Sequence, residues 1–290
     1  MNVLVTGAKG QLGHDTLHEL LKRGYEAVGV DIEEMDITDG MAVAKVLRKT
    51  NPDAVIHCAA WTAVDPAEDE ANRKSVYAVN MIGTENISRI CNELNCKLLY
   101  ISTDYVFDGQ GTRPWEPDDV CHPLNVYGET KYKGEIVVEQ WLEKYFIVRI
   151  AWVFGVNGNN FVKTMLALGK TRKHITVVDD QIGTPTYTYD LSRLLVDLVE
   201  SEKYGQYHAT NEGEYISWYD FAKEIFRQAS KLNDDYNDVT VSPVGSEAFP
   251  SKAKRPRNSR MCKQKLIDNG FTLLPAWQDA LCRYLKQIEV

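Results

Sequence analysis

Residues 2–6, Asn-Val-Leu-Val-Thr, read as a short apolar strand that runs directly into Gly7-Ala8-Lys9-Gly10-Gln11-Leu12-Gly13 and then into a leucine-rich segment. Few folds accommodate that order. Glycine allows a tight turn and lets the backbone come close to a ligand. The helix that follows offers unpaired N–H groups and the positive end of its dipole to an anion. Glycines placed between a first strand and a first helix therefore predict a dinucleotide site. Gly7, Lys9, Gly10, Gln11, Leu12 and Gly13 are its expected pyrophosphate-side contacts.

The rest of the first half keeps alternating. Residues 11–23 carry Leu12, Leu17, Leu20 and Leu21 for one apolar face, with Gly24 as a stop. Further strands are expected at 27–31, 54–60, 97–102 and 146–150, and helices at 41–49, 72–94 and 127–143. Short apolar strands alternating with helices imply parallel strands joined by right-handed crossovers. The fold class is α/β, a doubly wound parallel sheet of the Rossmann kind, with ligands at the carboxyl ends of its strands. The second half is less regular, with helices expected at 161–168, 191–200, 218–230 and 275–287, short strands at 175–178 and 239–241, and an edge element at 207–209. This predicts a dinucleotide-binding domain of residues 1–154 plus roughly 184–211. A smaller interleaved α/β lobe, residues 155–183 plus 212–290, would hold the substrate.

Bulk properties exclude several classes. A chain of 290 residues suffices for one large or two unequal domains. A net charge of −8 argues against a nucleic-acid or membrane-surface partner. No apolar run reaches membrane-spanning length, and the N-terminus lacks an export pattern, so a cytoplasmic enzyme is expected. The six cysteines form no Cys-x-x-Cys pair and read as free thiols in a reducing compartment. His14 and His18 are four apart on the first helix but have no third ligand, and read as a solvated face.

Asp31 ends the second strand, where a carboxylate accepts hydrogen bonds from ribose hydroxyls. It would repel a 2′-phosphate, and Ile32-Glu33-Glu34 supplies no cation, which favours NADH over NADPH; Lys9 is the one compensating charge nearby. Asp36 and Ile37 follow, either bordering the adenine or forming a turn.

Tyr127-Gly128-Glu129-Thr130-Lys131 lies some two dozen residues after a strand ending in Ser102-Thr103. With 15 tyrosines in the chain, about one Tyr-x-x-x-Lys match is expected by chance. There are two, and the second, Tyr219 to Lys223, sits in a segment that reads as an amphipathic helix with a buried aromatic face. Context selects the first. Tyr127 and Lys131 share a helix face, and a lysine ammonium near a phenol favours the phenolate and makes the tyrosine a better proton relay. The Thr103 hydroxyl can polarise a carbonyl and stabilise the alkoxide. Residues 252–260 form a dense basic run, read either as a diphosphate site or as a loop balancing local acids. Residues 65–70 read as the acidic start of a helix.

Longer segments carry a resemblance: Ala59-Ala60-Trp61-Thr62-Ala63-Val64-Asp65, Ser102-Thr103-Asp104-Tyr105-Val106-Phe107-Asp108-Gly109, Pro123-Leu124-Asn125-Val126-Tyr127-Gly128, Trp152-Val153-Phe154-Gly155, Asn159-Asn160-Phe161, Asp180-Gln181-Ile182-Gly183-Thr184-Pro185-Thr186 and Arg255-Pro256-Arg257-Asn258-Ser259. In this order they resemble the extended short-chain dehydrogenase/reductases and, within them, the dTDP-4-dehydrorhamnose reductases. The resemblance implies NADH- or NADPH-dependent reduction of the C4 ketone of a dTDP-linked 4-keto-6-deoxy sugar. It implies that Tyr127 donates the proton, that Thr103, Asp104, Tyr105 and Trp152 face the sugar, that Asn160 and Arg255 meet the diphosphate, and that Ala59, Ala60 and Trp61 border the cofactor. Trp61 and Pro66 depart from the family's usual Tyr or His and usual Lys. Some members bind Mg²⁺ through separated carboxylates; no such set is evident, and no metal is predicted. The expected partners are a dTDP-sugar and, at most, a second copy of the chain. Two rival readings share the fold: a non-catalytic subunit like the regulatory subunit of methionine adenosyltransferase, and a nucleotide-sugar epimerase or dehydratase. Thr103, Tyr127 and Lys131 together favour an enzyme, and Tyr105 occupies the place where a dehydratase would need a second acid.

Overall fold

The computed structural model describes residues 1–290. The first half runs β1 (Asn2–Thr6), α1 (Gln11–Lys22), β2 (Glu26–Val30), α2 (Gly40–Thr50), β3 (Ala54–His57), α3 (Val64–Ala67), α4 (Glu70–Tyr77), α5 (Thr84–Leu94), β4 (Lys97–Thr103), α6 (Val126–Trp141) and β5 (Tyr145–Ile150). The second half follows with β6 (Val153–Phe154), α7 (Phe161–Thr171), β7 (His174–Val178), β8 (Ile182–Gly183), β9 (Thr186–Tyr187), α8 (Thr188–Glu200), β10 (Gly205–His208), β11 (Asn211–Glu212), β12 (Ile216–Ser217), α9 (Trp218–Ala229), β13 (Thr240–Val244), α10 (Gln264–Asp268), β14 (Leu274–Ala276) and α11 (Trp277–Gln287).

Six strands form one parallel sheet in the order β10-β5-β4-β3-β1-β2. Alternation along the strands divides the apolar residues between its faces. Val3 and Val5 of β1 meet α1 and α8 on one face, through Leu12, Leu20, Leu191, Leu195 and Leu198. Leu4 meets α2, α5 and α6 on the other, through Val43, Leu47, Ile87 and Val138. A separate core joins α7, α9 and α11 around Phe154, Phe221, Phe226, Trp277 and Tyr284, with β7 and β13 paired in parallel beside it. Leu266 and Leu274 return to the first core, so the C-terminal third is not confined to the second.

Local chemistry sets the helix ends. Asp39 accepts the Met41 N–H at 2.8 Å at the start of α2, and Ser217 and Asp220 form a reciprocal cap on α9. Gly24, at φ +80°, follows α1 as expected. The helix expected over 72–94 is not continuous. It opens at Glu70, breaks into a π-helical turn over Ala78–Gly83 and resumes as α5.

The sheet also buries a charge pair. The Arg149 guanidinium on β5 donates to both oxygens of Glu135 on α6, at 2.9 and 2.7 Å, and to the Pro117 carbonyl at 2.7 Å. Both side chains are at most 2% exposed. Removing one partner leaves the other charge buried and unpaired. Arg149→Met is therefore expected to lower the unfolding free energy by about 3–5 kcal/mol. The double variant Arg149→Met/Glu135→Leu should recover most of that loss, measured by urea denaturation; equal losses in both would show that the remaining contacts of Arg149, not the pairing, matter.

Candidate active site

The crevice at the carboxyl ends of β1 and β3 is built by close approach. Gly7 has φ +65°, and a Cβ there would stand 2.8 Å from the Ala59 backbone nitrogen. A Cβ at Gly13 would come within 2.1 Å of the Gly7 carbonyl oxygen, so any other residue would push α1 away from its own loop. Beneath the loop, the Thr6 hydroxyl meets His57 Nδ1 at 2.7 Å and accepts the Ala59 N–H at 3.2 Å. Burial holds His57 neutral, at about 3.

Above this floor lies a cavity of about 780 Å³ lined by Gly7, Lys9, Gly10, Gln11, Leu12, Gly13, Asp31, Asp36, Ile37, Ala59, Ala60 and Trp61, the whole set expected to meet a cofactor. Asp31 accepts the Lys9 N–H at 3.0 Å, which places its carboxylate against the glycine loop. The Lys9 ammonium is paired with Glu33 and Glu34, so the one cation near Asp31 is already shared by two acids. Asp36 takes the turn role, accepting from the N–H and hydroxyl of Thr38 at 2.9 and 2.7 Å.

Thr103 ends β4, and Tyr127 and Lys131 project from α6, whose first turn is capped by Asn125 accepting the Gly128 N–H at 2.8 Å. All three line the same cavity. The Thr103 hydroxyl lies beside the Tyr127 phenol; burial pushes that phenol up to about 12, and the Thr103 contact opposes the rise. Burial lowers Lys131 to about 7, with Glu135 one helical turn on working the other way. The Lys131 ammonium sits 4.0 Å from the centre of the Tyr100 ring. The contact recorded for the ammonium is with that ring, and Lys131 lines the cavity together with Tyr127. The second Tyr-x-x-x-Lys match is a surface pair on α9, with Lys223 4.9 Å from the Tyr219 ring centre.

A larger cleft of about 1560 Å³ lies alongside, lined in part by Phe161, Trp218, Lys252, Arg255 and Arg257. Tyr105 lines both cavities, so the two meet next to Tyr127, whose ring is 5.6 Å from that of Tyr105. Trp152 lines the cofactor cavity and stacks on Trp218 at 3.7 Å, joining the aromatic walls of the two spaces. It does so from φ +52°, a strained conformation for a bulky residue of the kind found at functional sites. Asp104 is buried behind Thr103 and bonded to Ser259.

Two expected segments take part in other contacts. Asn160 lines neither cavity. Its carbonyl caps α7 through the Lys163 N–H, and its amide reaches Gln11, the Gly155 carbonyl and the Tyr284 hydroxyl, which makes it a latch between the cores. The acidic run at 65–70 does not serve only its own helix. Asp65 pairs with Arg255 at 2.8 Å, Asp69 pairs with Lys252, and Glu68 accepts the Val126 N–H at the start of α6 at 2.7 Å. Arg255 does line the large cleft, but with a carboxylate already on it. Trp218, Phe161 and Asp65 line the large cleft, and Ser259 bonds Asp104 from behind the cavity wall; sequence reasoning gave none of them a role. The oppositely charged runs were the one available signal for Asp65.

A Rossmann crevice, a glycine loop and a Thr/Tyr/Lys set at the end of β4 and on α6 define a nicotinamide-dependent reductase of the extended short-chain class. The whole chain, residues 1–290, matches the family described as RmlD substrate binding domain, and the protein belongs to that family. It is 40% identical over 287 residues to a dTDP-4-dehydrorhamnose reductase of Aggregatibacter actinomycetemcomitans, covering 96% of each chain. The crystal structure of a dTDP-4-dehydrorhamnose reductase of Clostridium acetobutylicum superposes with a TM-score of 0.94 at 40% identity, covering 100% of both chains. That of Bacillus anthracis, in complex with NADP, gives 0.92 at 42% identity, covering 99% of this chain and 100% of the other.

If Lys131 holds a cofactor ribose as an ammonium, binding must keep a proton on a group that burial has lowered to about 7. Affinity for the reduced cofactor is expected to fall as pH rises through about 7, with uptake of up to one proton on binding above it. Lys131→Met should abolish that uptake in calorimetric titrations run in buffers of different ionisation enthalpy. Uptake persisting in the variant would assign it to another group.

Proposed function

We propose that this chain catalyses reduction of the C4 ketone of dTDP-4-dehydro-L-rhamnose to dTDP-L-rhamnose. The observation that carries the reading is the junction at Tyr105, where a cofactor cavity holding Thr103, Tyr127 and Lys131 opens into an aromatic, cationic cleft. Residues 1–154 plus 184–211 serve the cofactor in this reading, and residues 155–183 plus 212–290 the nucleotide sugar. Every group assigned comes from one chain, so a homodimer is compatible with the chemistry but not needed for it. A water-soluble nucleotide-sugar substrate supports a reaction in the cytoplasm.

The bound nicotinamide supplies the hydride that adds to the sugar C4. The chain's own residues do the rest. Backbone N–H groups of the glycine loop and the α1 N-terminus receive the pyrophosphate. Lys131 holds the ribose and keeps positive charge near the reacting oxygen. Thr103 orients the ketone, and Tyr127 gives its phenolic proton to the oxygen as the alkoxide forms. Burial pushes the Tyr127 phenol up to about 12, so the proton to be given is present at neutral pH. Trp152 and Trp218 form the apolar wall that excludes water. Arg255 and Arg257 offer guanidinium groups to the diphosphate.

Asp31, fixed against the loop by the Lys9 N–H, favours NADH. The relative from Bacillus anthracis was crystallised with NADP; here the one cation near a 2′-phosphate, Lys9, is already paired with Glu33 and Glu34. The preference is expected as a higher kcat/KM for NADH, narrowed by Asp31→Asn; a wild-type preference for NADPH overturns the Asp31 argument.

The activity itself is tested by oxidation of reduced cofactor with dTDP-4-dehydro-L-rhamnose generated in place, with dTDP-L-rhamnose identified as product. Tyr127→Phe is expected to lower kcat by about 10²–10⁴ while cofactor affinity stays near that of the wild type. Cofactor bound without turnover in the wild type would favour the binding-subunit reading instead.

A further inference from the structure

Thr103 has one hydroxyl proton and a crowded oxygen. Its oxygen accepts the Tyr105 N–H at 3.2 Å, lies beside the Tyr127 phenol and is 3.1 Å from Oδ1 of Asp104. Asp104 is 2% exposed, and its other oxygen, Oδ2, accepts from the Ser259 hydroxyl. Ser259 is held in turn. Its N–H donates to the Ile182 carbonyl at 2.8 Å, and the Asn258 amide before it donates to the Arg113 carbonyl at 2.8 Å.

The proton count has a consequence. An ionised Asp104 only accepts, so it draws the Thr103 proton to itself, and a ketone in the cavity then meets Tyr127 as its sole donor. With a proton on Oδ1, Asp104 donates to the Thr103 oxygen, and the Thr103 proton is free to turn toward the ketone. We propose that Ser259 and Asp104 are positioning residues for the reduction assigned above: Ser259 occupies Oδ2, so that the proton at Oδ1 decides whether one donor or two face the ketone oxygen. The inference rests on the reductase reading. The proton on Asp104 is not consumed, since hydride and the Tyr127 proton complete the alcohol.

Burial pushes Asp104 up to about 6, while the bonds from Ser259 and Thr103 pull it down. The titratable groups facing it are Tyr105 and Tyr127, with Asp65 and Arg255 acting on Tyr105. Burial raises both phenols far above neutrality, so neither changes charge in this range, and Lys131, lowered to about 7 in the same cavity, is separated from Asp104 by running the test at saturating cofactor and in Lys131→Met.

The test is the pH dependence of single-turnover hydride transfer from reduced cofactor to dTDP-4-dehydro-L-rhamnose. In the wild type the rate should rise as pH falls through about 6. The plateau should be about 10²-fold higher, the usual effect of one added oxyanion donor. In Asp104→Asn, Ser259 holds the amide oxygen and the amide N–H donates permanently to Thr103, so the inflection should vanish. Ser259→Ala removes a bond that favours the carboxylate, so the inflection should move to higher pH, and Ser259→Thr should restore it. Cofactor binding checks that each variant is folded, and the two Ser259 variants decide the matter if Asp104→Asn is not. An unchanged inflection in Asp104→Asn or in Ser259→Ala overturns the proposal. A wild type that binds cofactor but reduces no ketone removes the reductase reading itself.

Discussion

The buried pair of Arg149 and Glu135 sets the frame on which the site is built. Taking both charges out of water costs several kcal/mol per ion, offset by bidentate geometry and by the Pro117 carbonyl. A pair of that kind adds little net stability, and the hypothesis here is that its contribution is orientation. Glu135 follows Lys131 by four residues and Tyr127 by eight, so tying Glu135 to β5 fixes which way the side chains proposed to act in catalysis point from α6. Two glycines let the helix sit close enough for this to matter. A Cβ at Gly134 would stand 2.3 Å from the Tyr100 hydroxyl, and one at Gly128 would stand 2.2 Å from the Tyr105 carbonyl oxygen. Each glycine costs about 1 kcal/mol of helix propensity. In exchange, α6 rests directly on β4, whose last residue is Thr103.

A second constraint comes from the π-helical turn over Ala78–Gly83. Such turns are rare and recur at functional sites. Here it lies where Asn80, 1% exposed, turns its amide onto three partners. The Asn80 side chain accepts the Trp61 N–H at 2.8 Å and donates to the Trp61 carbonyl at 3.2 Å and to the Thr130 hydroxyl at 3.0 Å. One side chain thus joins the loop that borders the cofactor cavity to the helix that carries Tyr127. The irregular turn positions a buried polar group that would otherwise be left unsatisfied.

How much of this was legible in the sequence follows from the range of each interaction. The glycine loop, the alternating elements, Asp31 and the Tyr127–Lys131 pair are encoded within a few residues of one another, and their context on strand or helix was readable. The break at 78–83 was not, because Gly83 alone in Ala-Val-Asn-Met-Ile-Gly strongly disfavours an α-helix, and the partners of Asn80, Trp61 and Thr130, lie 19 and 50 residues away. Asn160 was opaque for a related reason. Its neighbourhood in the chain resembles a ligand-binding segment, but Gln11 and Tyr284, at separations of 149 and 124 residues, take its amide. Ser259 was quoted within a motif yet had no role until the fold brought it to Asp104, 155 residues away.

The basic segment shows why pairing charges and binding an anion are not alternatives. Arg255, Lys252 and Arg257 are paired with Asp65, Asp69 and Asp180, which looks like a loop balancing nearby acids. These side chains are 30%, 64% and 73% exposed, so each pair contributes no more than about 1 kcal/mol. A diphosphate entering the cleft can draw such cations away at small cost. The backbone beneath them is held differently. Asn258, 1% exposed, bonds to the Gln110 and Arg113 carbonyls, the Trp115 indole donates to its carbonyl at 3.0 Å, and Ser259 is locked to Asp104. In the proposed reading, exchangeable charges on a fixed backbone would let the cleft take an anionic substrate without moving Thr103, which the same backbone holds through Asp104.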